Sequence, residues 1–134
     1  MIQIVFFSIA GGEIFDEVIS GLQAELSSYL KKPFKINHYI GSPDQSIMRM
    51  YIRGALKRGV DVIVTSGALS THIALEETQR RNHLVPIVFW GITDPVELKV
   101  IFSIESSKNN ATGVFMEAHQ HLLPFQILAR ANPN

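Results

Sequence analysis

Apolar runs of strand length alternate along this chain with amphipathic helical patterns, and this alternation constrains the fold more than any other feature of the sequence. Strands are predicted at 2–7, 34–40, 60–65, 85–89 and 111–115. Most of these runs are apolar almost throughout, which is typical of parallel strands buried on both faces, whereas 34–40 alternates as an edge strand does. The remaining segments predict helices at about 15–30, 43–58, 67–81, 94–103 and 117–131.

Helix-end signals set several of these limits. The second helix is expected to begin after Ser42, whose hydroxyl suits a cap, with Pro43 at the first helical position, and to stop at Gly59. Asp94, which is followed by a proline, is a similar start signal for the short fourth helix. Pro124 is expected to interrupt or kink the last helix.

This order of elements predicts an α/β fold of three layers, with helices on both faces of a doubly wound, mainly parallel five-stranded sheet. The 134 residues are enough for one such domain with a real core. Ligands of doubly wound sheets bind beyond the carboxyl ends of the strands. The loops expected there are 8–12, 65–70 and 90–95, so the candidate site lies among them.

Charge and residue usage exclude several classes of function. Twelve basic and twelve acidic residues give a net charge of zero, so no overall field attracts nucleic acid. The absence of cysteine excludes disulfides, thiolate metal sites and a cysteine nucleophile. Among the five histidines, His119 and His121 lie two residues apart, on different sides of a helix, and supply too few ligands for a metal. Because no catalytic motif is present either, no metal, cofactor or enzymatic activity is predicted.

The segment Ser66-Gly67 follows a buried strand and opens a helix, so the free amides of the first turn would point into the ligand crevice. A carboxylate or phosphate would suit these amides. The alternative is that Ser66 only caps the helix and Gly67 only allows close packing. Ser70 lies one turn later, where its hydroxyl could face solvent or the ligand.

The other two loops have similar double interpretations. Thr93 and Asp94 either line the ligand mouth or, in the case of Asp94, cap a helix. Trp90, the single tryptophan, is either core or a stacking surface. The loop that contains Ser8 and Gly11 lacks the glycine spacing of dinucleotide-binding loops and the lysine of phosphate-binding loops, so nucleotide binding is not predicted.

Three segments resemble one family of transport proteins. They are 59–70 (GVDVIVTSGALS), 85–96 (VPIVFWGITDPV) and 110–114 (NATGV). Together they resemble the substrate-binding proteins of ABC transporters related to tryptophan- and tyrosine-binding lipoproteins. In that family a strand of DLIV type leads to a small-residue loop and helix, a PIVF strand leads to TDPV, and NVTGV follows. The order and spacing are the same here.

The resemblance implies a Rossmann-like lobe of a type I periplasmic binding protein, with strand order 2-1-3-4-5. Residues 1–116 would form the first lobe, and 117–134 would be the crossover helix that begins a second lobe absent from this chain. The function implied is that of the extracytoplasmic solute-binding component of an ABC importer, periplasmic or lipid-anchored, which delivers an amino acid to a membrane permease. The signal segment of such a protein is expected to be absent from this chain.

By this resemblance and by position at the strand ends, Ser66, Gly67 and Ser70 would hold the ligand carboxylate. The mouth of the same site would be lined by Trp90, Thr93, Asp94, Ser8 and Gly11. Asp94 could pair with an α-amino group if it is not used as a cap.

The alternative function is a free-standing flavodoxin-like or receiver-like cytoplasmic domain that binds a phosphorylated ligand or a partner protein. A receiver would show an acidic pair after the first strand, where Ser8 and Ile9 stand, and a phosphorylatable aspartate after the third, where Thr65 and Ser66 stand. A flavin-binding domain would show a first loop rich in serine and threonine. A purely structural interaction module is the third interpretation.

The segment 117–131 also predicts an oligomeric state. Its apolar side chains would lack the sheet of a second lobe that normally covers them, and they are Leu122, Leu123, Phe125, Ile127 and Leu128. Five such side chains form a patch that soluble monomers rarely expose. A homodimer built largely by this helix is therefore predicted, because exchange of a terminal element closes a two-fold dimer at low cost.

Overall fold

A computed structural model describes residues 1–41, 44–81, 84–103 and 105–116 of the chain. Its elements in chain order are β1 (Ile2–Ser8), α1 (Glu13–Tyr29), β2 (Phe34–Ile40), α2 (Gln45–Lys57), β3 (Val62–Ser66), α3 (Gly67–Arg80), β4 (Ile87–Thr93) and β5 (Ala111–Met116). Among these helices, none is long and apolar enough to cross a membrane. The predicted helix 117–131 lies outside the described residues.

The five strands form one sheet in the order β2-β1-β3-β4-β5, with every neighbouring pair parallel. This confirms the predicted α/β class, the strand order and the edge position of the alternating strand β2. The first strand is central: its seven residues pair with β2 from Ile2 opposite Phe34 to Ser8 opposite Ile40. On its other side Phe7 lies opposite Thr65 of β3.

The larger core lies between the sheet and helices α2 and α3. Phe7 of β1 and Phe89 of β4 are fully or almost fully buried there, against Met48 and Ile52 of α2 and Ile73 of α3. These residues come from the uniformly apolar strands and from one stripe of each helix, because parallel strands must be covered on both faces. The pairing of α2 and α3 on one face leaves α1 for the other.

On the opposite face, α1 packs Phe15, Val18, Ile19, Leu22 and Leu26 against Ile4 and Phe6 of β1 and Val64 of β3. This cover does not extend across the whole sheet. Val88 of β4 is 36% exposed and Val114 of β5 is 72% exposed on the same face. Among the described residues, β4 and β5 therefore present apolar side chains on this face without a covering helix.

Two predicted helix starts are wrong. Helix α2 begins at Gln45. Its cap is Asp44, whose carboxylate accepts a 2.9 Å hydrogen bond from the amide of Ser46. The predicted cap Ser42 and the predicted first helical residue Pro43 lie outside the described residues. The helix expected at 94–103 is a series of turns, because Asp94 and Lys99 both have positive φ, 54° and 60°, and cannot continue a right-handed helix. Asp94 is therefore not a helix cap.

Two strand limits also differ from expectation. Strand β4 does not stop at Phe89 but continues to Thr93 through a bulge between Phe89 and Ile92, where Gly91 has φ 70°. Strand β3 begins at Val62 rather than at residue 60, because the amide of Val60 still bonds to the carbonyl of Ala55 at the end of α2. Gly59, with φ 79°, ends that helix as predicted.

Candidate functional site

The carboxyl ends of β1, β3 and β4 meet at one edge of the sheet. Phe7 lies opposite Thr65, so the next residues, Ser8 and Ser66, are at the same level, and Ser66 lies opposite Trp90. The three loops that hold the sequence-predicted site residues are thus brought to one edge, as parallel strands require.

Helix α3 starts directly from β3 at this edge, without an intervening loop. Ser66 is its N-cap residue in extended conformation, φ −112° and ψ 121°, yet its side chain makes no capping hydrogen bond. Gly67 follows with φ 83°, a conformation that residues with a Cβ atom rarely adopt. The first-turn amides of α3 therefore receive no side-chain cap from Ser66 and face the edge of the sheet with the positive end of the helix dipole.

Ser70, in the same first turns, is fully buried, and its Oγ has no hydrogen-bond partner among the described residues. Its neighbour Thr71 contrasts with it. Thr71 donates to the carbonyl of Gly67 at 2.7 Å, so it must accept the hydrogen of Thr65 Oγ1, also at 2.7 Å. Buried hydroxyl groups almost always have a partner. Among the described residues, Ser70 therefore carries a buried hydroxyl whose hydrogen-bonding capacity is unused, whereas the hydroxyl of Thr71 is fully bonded.

The bulge in β4 places Gly91 over the start of α3. A Cβ atom built on Gly91 would lie 3.8 Å from the amide nitrogen of Gly67 and 3.8 Å from Ser66 Oγ. A side chain at this position would therefore extend over the helix N-terminus. The two glycines with positive φ keep the space above the first-turn amides open.

The remaining residues of the third loop have different surroundings. Trp90 packs in the small core under α1, with its ring centroid 6.1 Å from that of Phe6 and 6.0 Å from that of Phe15. Its Nε1 is buried without a hydrogen-bond partner among the described residues. Thr93 is exposed at the end of β4, and Asp94 is partly exposed; its carboxylate accepts no hydrogen bond from the described residues.

The first loop is held by Ser8, which is fully buried. Its hydroxyl lies 2.7 Å from the carbonyl of Ala10 and 2.8 Å from Nε2 of His38. Gly11 is exposed, and a Cβ atom there would come within 2.8 Å of Cδ1 of Ile40. Ser8 thus lies at the predicted edge, but its hydroxyl is used inside the protein.

His38 is a polar residue of this edge that the sequence did not single out. Burial lowers the pKa of its imidazole, while the negative charge of Asp16 on α1 acts in the opposite direction. The one available signal was its place two residues before the end of an edge strand, and the strand register was needed to bring it beside Ser8.

Among the described residues, no group of three or more histidine, aspartate or glutamate side chains could hold a metal ion.

A comparison of the sequence with models of known protein families decides the family. The model of the family described as ABC transporter substrate binding protein matches residues 4–123. The chain belongs to this family. The match includes every element of the sheet and all the site loops described above, and it confirms the resemblance found in the sequence.

Three solved structures of other proteins have the same fold. The ABC domain in complex with L-Trp from Streptococcus pneumonia has a TM-score of 0.71 and 21% identity, over 85% of this chain and 38% of that one. A conserved domain protein from Vibrio cholerae has a TM-score of 0.75 and 21% identity, over 99% of this chain and 44% of that one. The ligand-free, open substrate binding protein CD0873 from Clostridium difficile has a TM-score of 0.74 and 17% identity, over 96% and 44%.

The chain therefore spans less than half the length of each of these three proteins. At identities near one fifth, the likeness shows the fold of the lobe. No curated protein sequence matches the chain.

Proposed function

We propose that this chain forms the first lobe of the solute-binding component of an ABC importer, and that it binds the carboxylate of a small solute, an amino acid, at the N-terminus of α3. The observation that carries the proposal is the uncapped start of α3 together with the buried, unpartnered hydroxyl of Ser70. Family membership favours this function over the flavodoxin-like or receiver-like alternative. In this role the protein binds its solute without converting it chemically.

The chemistry of the site suits a carboxylate. Backbone amides at a helix N-terminus point toward a bound anion, and the helix dipole favours negative charge there. Ser66 and Ser70 each add a hydroxyl that is free of capping or other hydrogen bonds to the described residues. Gly67 and Gly91 leave room for the anion to approach the backbone.

The rest of an amino acid would lie along the same edge. Asp94 supplies a carboxylate for an α-ammonium group, since it is not used as a helix cap. Trp90, Thr93, Ser8 and Gly11 are proposed to line the mouth, with Ser8 acting through the loop that it holds. The structural neighbour solved with L-Trp supports an aromatic amino acid as the first solute to test.

The remainder of the transport function is proposed from the family. Residues 1–116 would be the first lobe and 117–134 would lead to a second lobe, which would close over the solute. The protein would act outside the cytoplasm, in the periplasm or on a lipid anchor, and would deliver its solute to an ABC permease. Neither nucleic acid nor a cofactor is part of this proposal.

Isothermal titration calorimetry tests the carboxylate site. The full-length protein is screened with L-amino acids, nucleosides and sugars, and L-tryptophan is compared with tryptamine, which lacks the carboxylate. We expect binding of an amino acid and a loss of about tenfold to a hundredfold in affinity for Ser66→Ala with Ser70→Ala, because charge-assisted hydrogen bonds are lost.

Two controls make that test specific. Ser20→Ala, on the exposed side of α1, should leave the affinity unchanged. Asp94→Asn should weaken the binding of the amino acid but not the binding of indole-3-propionate, which lacks the ammonium group. Amino-acid binding that is unaffected by the two serine substitutions, or tryptamine binding equal to that of L-tryptophan, would contradict the site.

We also propose that isolated copies of this chain associate as a homodimer, in which the segment 117–131 of one copy covers the exposed face of β4 and β5 of the other. That face holds Val88 and Val114, and β5 leads directly into the segment. Burial of one such side chain contributes about 1.5–3 kcal/mol. Light scattering at micromolar concentration tests the dimer: a species of 15.0 kDa that stays soluble, with the segment disordered or folded back on its own copy, would contradict it.

A further inference from the structure

We infer that His38 is the positioning residue of the loop 8–12 at the edge of the proposed solute site, which it holds by donating a hydrogen bond from Nε2 to Ser8. This inference rests on the proposed function for its consequence, since the loop lines the proposed mouth. Its geometry is independent of any solute.

The direction of the hydrogen bonds follows from the atoms present. Ser8 Oγ lies 2.7 Å from the carbonyl oxygen of Ala10, and a carbonyl only accepts, so the single hydroxyl hydrogen of Ser8 points to Ala10. The contact of 2.8 Å between Ser8 Oγ and His38 Nε2 then leaves Ser8 as acceptor. The hydrogen must lie on Nε2 of His38, which fixes the tautomer of a neutral ring.

The ring of His38 is held so that Nε2 stays directed at Ser8. Phe6 of β1 meets it edge to face, with centroids 5.2 Å apart and planes at 90°, and Phe15 of α1 lies 6.4 Å away. Asp16 of α1 is the charged group that acts on the ring, and burial outweighs it, so the pKa of His38 is lowered and the ring is neutral near pH 7. Nδ1 then carries the lone pair.

Ser8 connects two loops of the edge. Its hydroxyl closes the turn to Ala10, and its backbone carbonyl accepts a hydrogen bond of 2.7 Å from the amide of Gly41, which follows β2. Residues 9–12 themselves are exposed, so Ser8 is the buried point that holds them. Without the donor from His38, the loop 8–12 and the start of α1 after Gly12 lose a partly buried hydrogen bond that fixes their position.

The positioning role of His38 is tested with a matched pair of substitutions. His38→Gln keeps an amide donor near the place of Nε2, whereas His38→Phe keeps an aromatic ring without a donor. We expect His38→Phe to raise about tenfold the hydrogen exchange of the amides of Gly41 and Asp16, which bond to the carbonyls of Ser8 and Gly12. His38→Gln should change this exchange less than about threefold, as the loss of one partly buried hydrogen bond in His38→Phe predicts. In a Ser8→Ala background, His38→Phe should have no additional effect, because the acceptor is gone.

A measurement on the unsubstituted protein completes the test. Nitrogen-15 NMR of the imidazole should show hydrogen on Nε2 and a free Nδ1 at neutral pH. An Nδ1–H tautomer, or exchange in His38→Phe that rises throughout the sheet rather than at the amides of Gly41 and Asp16, would overturn the inference. These readouts need no solute, so they remain decisive if L-tryptophan fails to bind, an outcome that counts against the proposed function alone. Where L-tryptophan binds, we expect its affinity to be lower in His38→Phe and close to that of the unsubstituted protein in His38→Gln.

Discussion

Arg53 donates two hydrogen bonds to the fully buried carboxylate of Glu77, from Nε at 2.8 Å and from Nη2 at 3.0 Å. Arg49 donates a third at 3.1 Å, and the guanidinium groups of Arg80 and Arg81 lie 3.9 and 3.8 Å away. This arrangement joins α2 to α3 on the outer side of the sheet. Glu77 lies near the C-terminal end of helix α3, and the N-terminal end of the same helix carries the proposed solute site.

Glu77 predicts how stability depends on pH. The hydrogen bonds from Arg53 hold its pKa at about 2, below its usual value of 4.5, despite burial. A lowered pKa in the folded state contributes stability above pH 4.5, and that contribution is lost as the pH falls from 4.5 through about 2. Thermal unfolding followed from pH 7 to pH 2 should therefore show a steep loss in this window, which Glu77→Gln flattens.

Removal of Glu77 should also be costly at neutral pH. We expect Glu77→Ala to lower the free energy of unfolding by about 2–3 kcal/mol, because four arginines lose their shared partner and solvent screens part of the loss. Glu76, whose side chain is 55% exposed, is the matched control, and Glu76→Gln should change stability by less than about 0.5 kcal/mol. Equal effects of the two substitutions in urea unfolding would contradict this account.

Ser70 and Thr71 should respond in opposite directions to loss of their hydroxyl groups. Ser70→Ala removes a buried oxygen without a partner among the described residues, so it should leave stability unchanged or raise it by up to about 1 kcal/mol. Thr71→Val breaks two hydrogen bonds and should lower stability by about 1–2 kcal/mol. Destabilisation by Ser70→Ala in the solute-free protein would indicate that its hydroxyl already has a structural partner.

Two glycines give an opposed pair of a different kind. Gly67→Ala forces a Cβ atom into φ 83° at the start of α3 and should destabilise by about 1–2 kcal/mol. Gly21 lies inside α1, where a Cβ atom meets nothing within 4 Å, so Gly21→Ala should stabilise by about 0.5–1 kcal/mol. Thermal denaturation of both variants checks this prediction, and a destabilised Gly21→Ala would show that α1 requires a glycine there.

Gly113 of β5 should tolerate no side chain. A Cβ atom at this position would overlap the carbonyl oxygen of Phe89 and would lie 2.7 Å from its ring. We expect Gly113→Ala to lower stability by about 3 kcal/mol or more, or to prevent folding, because backbone must move to relieve the overlap. Soluble expression and circular dichroism measure the effect. A variant with unchanged melting temperature would show that β4 and β5 shift apart without cost.

Much of the fold follows from local patterns. The uniformly apolar strands and the single alternating strand were enough to predict a parallel sheet, and β2 is indeed at its edge. Ser8, Ser66 and Trp90 were expected at one edge because parallel strands end on the same side, and the register places them there. Their contact with a solute stays a prediction, since the geometry supports it only for the start of α3.

The two kinds of failure have different physical causes. The cap of α2 was assigned to the wrong residue because Ser42 and Asp44 offer the same chemistry two positions apart. The extension of β4 through the Gly91 bulge to Thr93, and the turns after it, depend on pairing with β5, which a local pattern of Thr, Asp and Pro does not contain.

The sequence by itself determined the class of fold, the order of the elements and the loops that form the site edge, because these depend on periodicity and on residues close in the chain. Only the tertiary structure decided that His38 meets Ser8, that Arg53 meets Glu77 and that Gly91 lies over the start of α3. Each of these pairs is separated by more than 20 residues, so its contact depends on strand register and side-chain packing, which are fixed only when the whole sheet and its helices assemble.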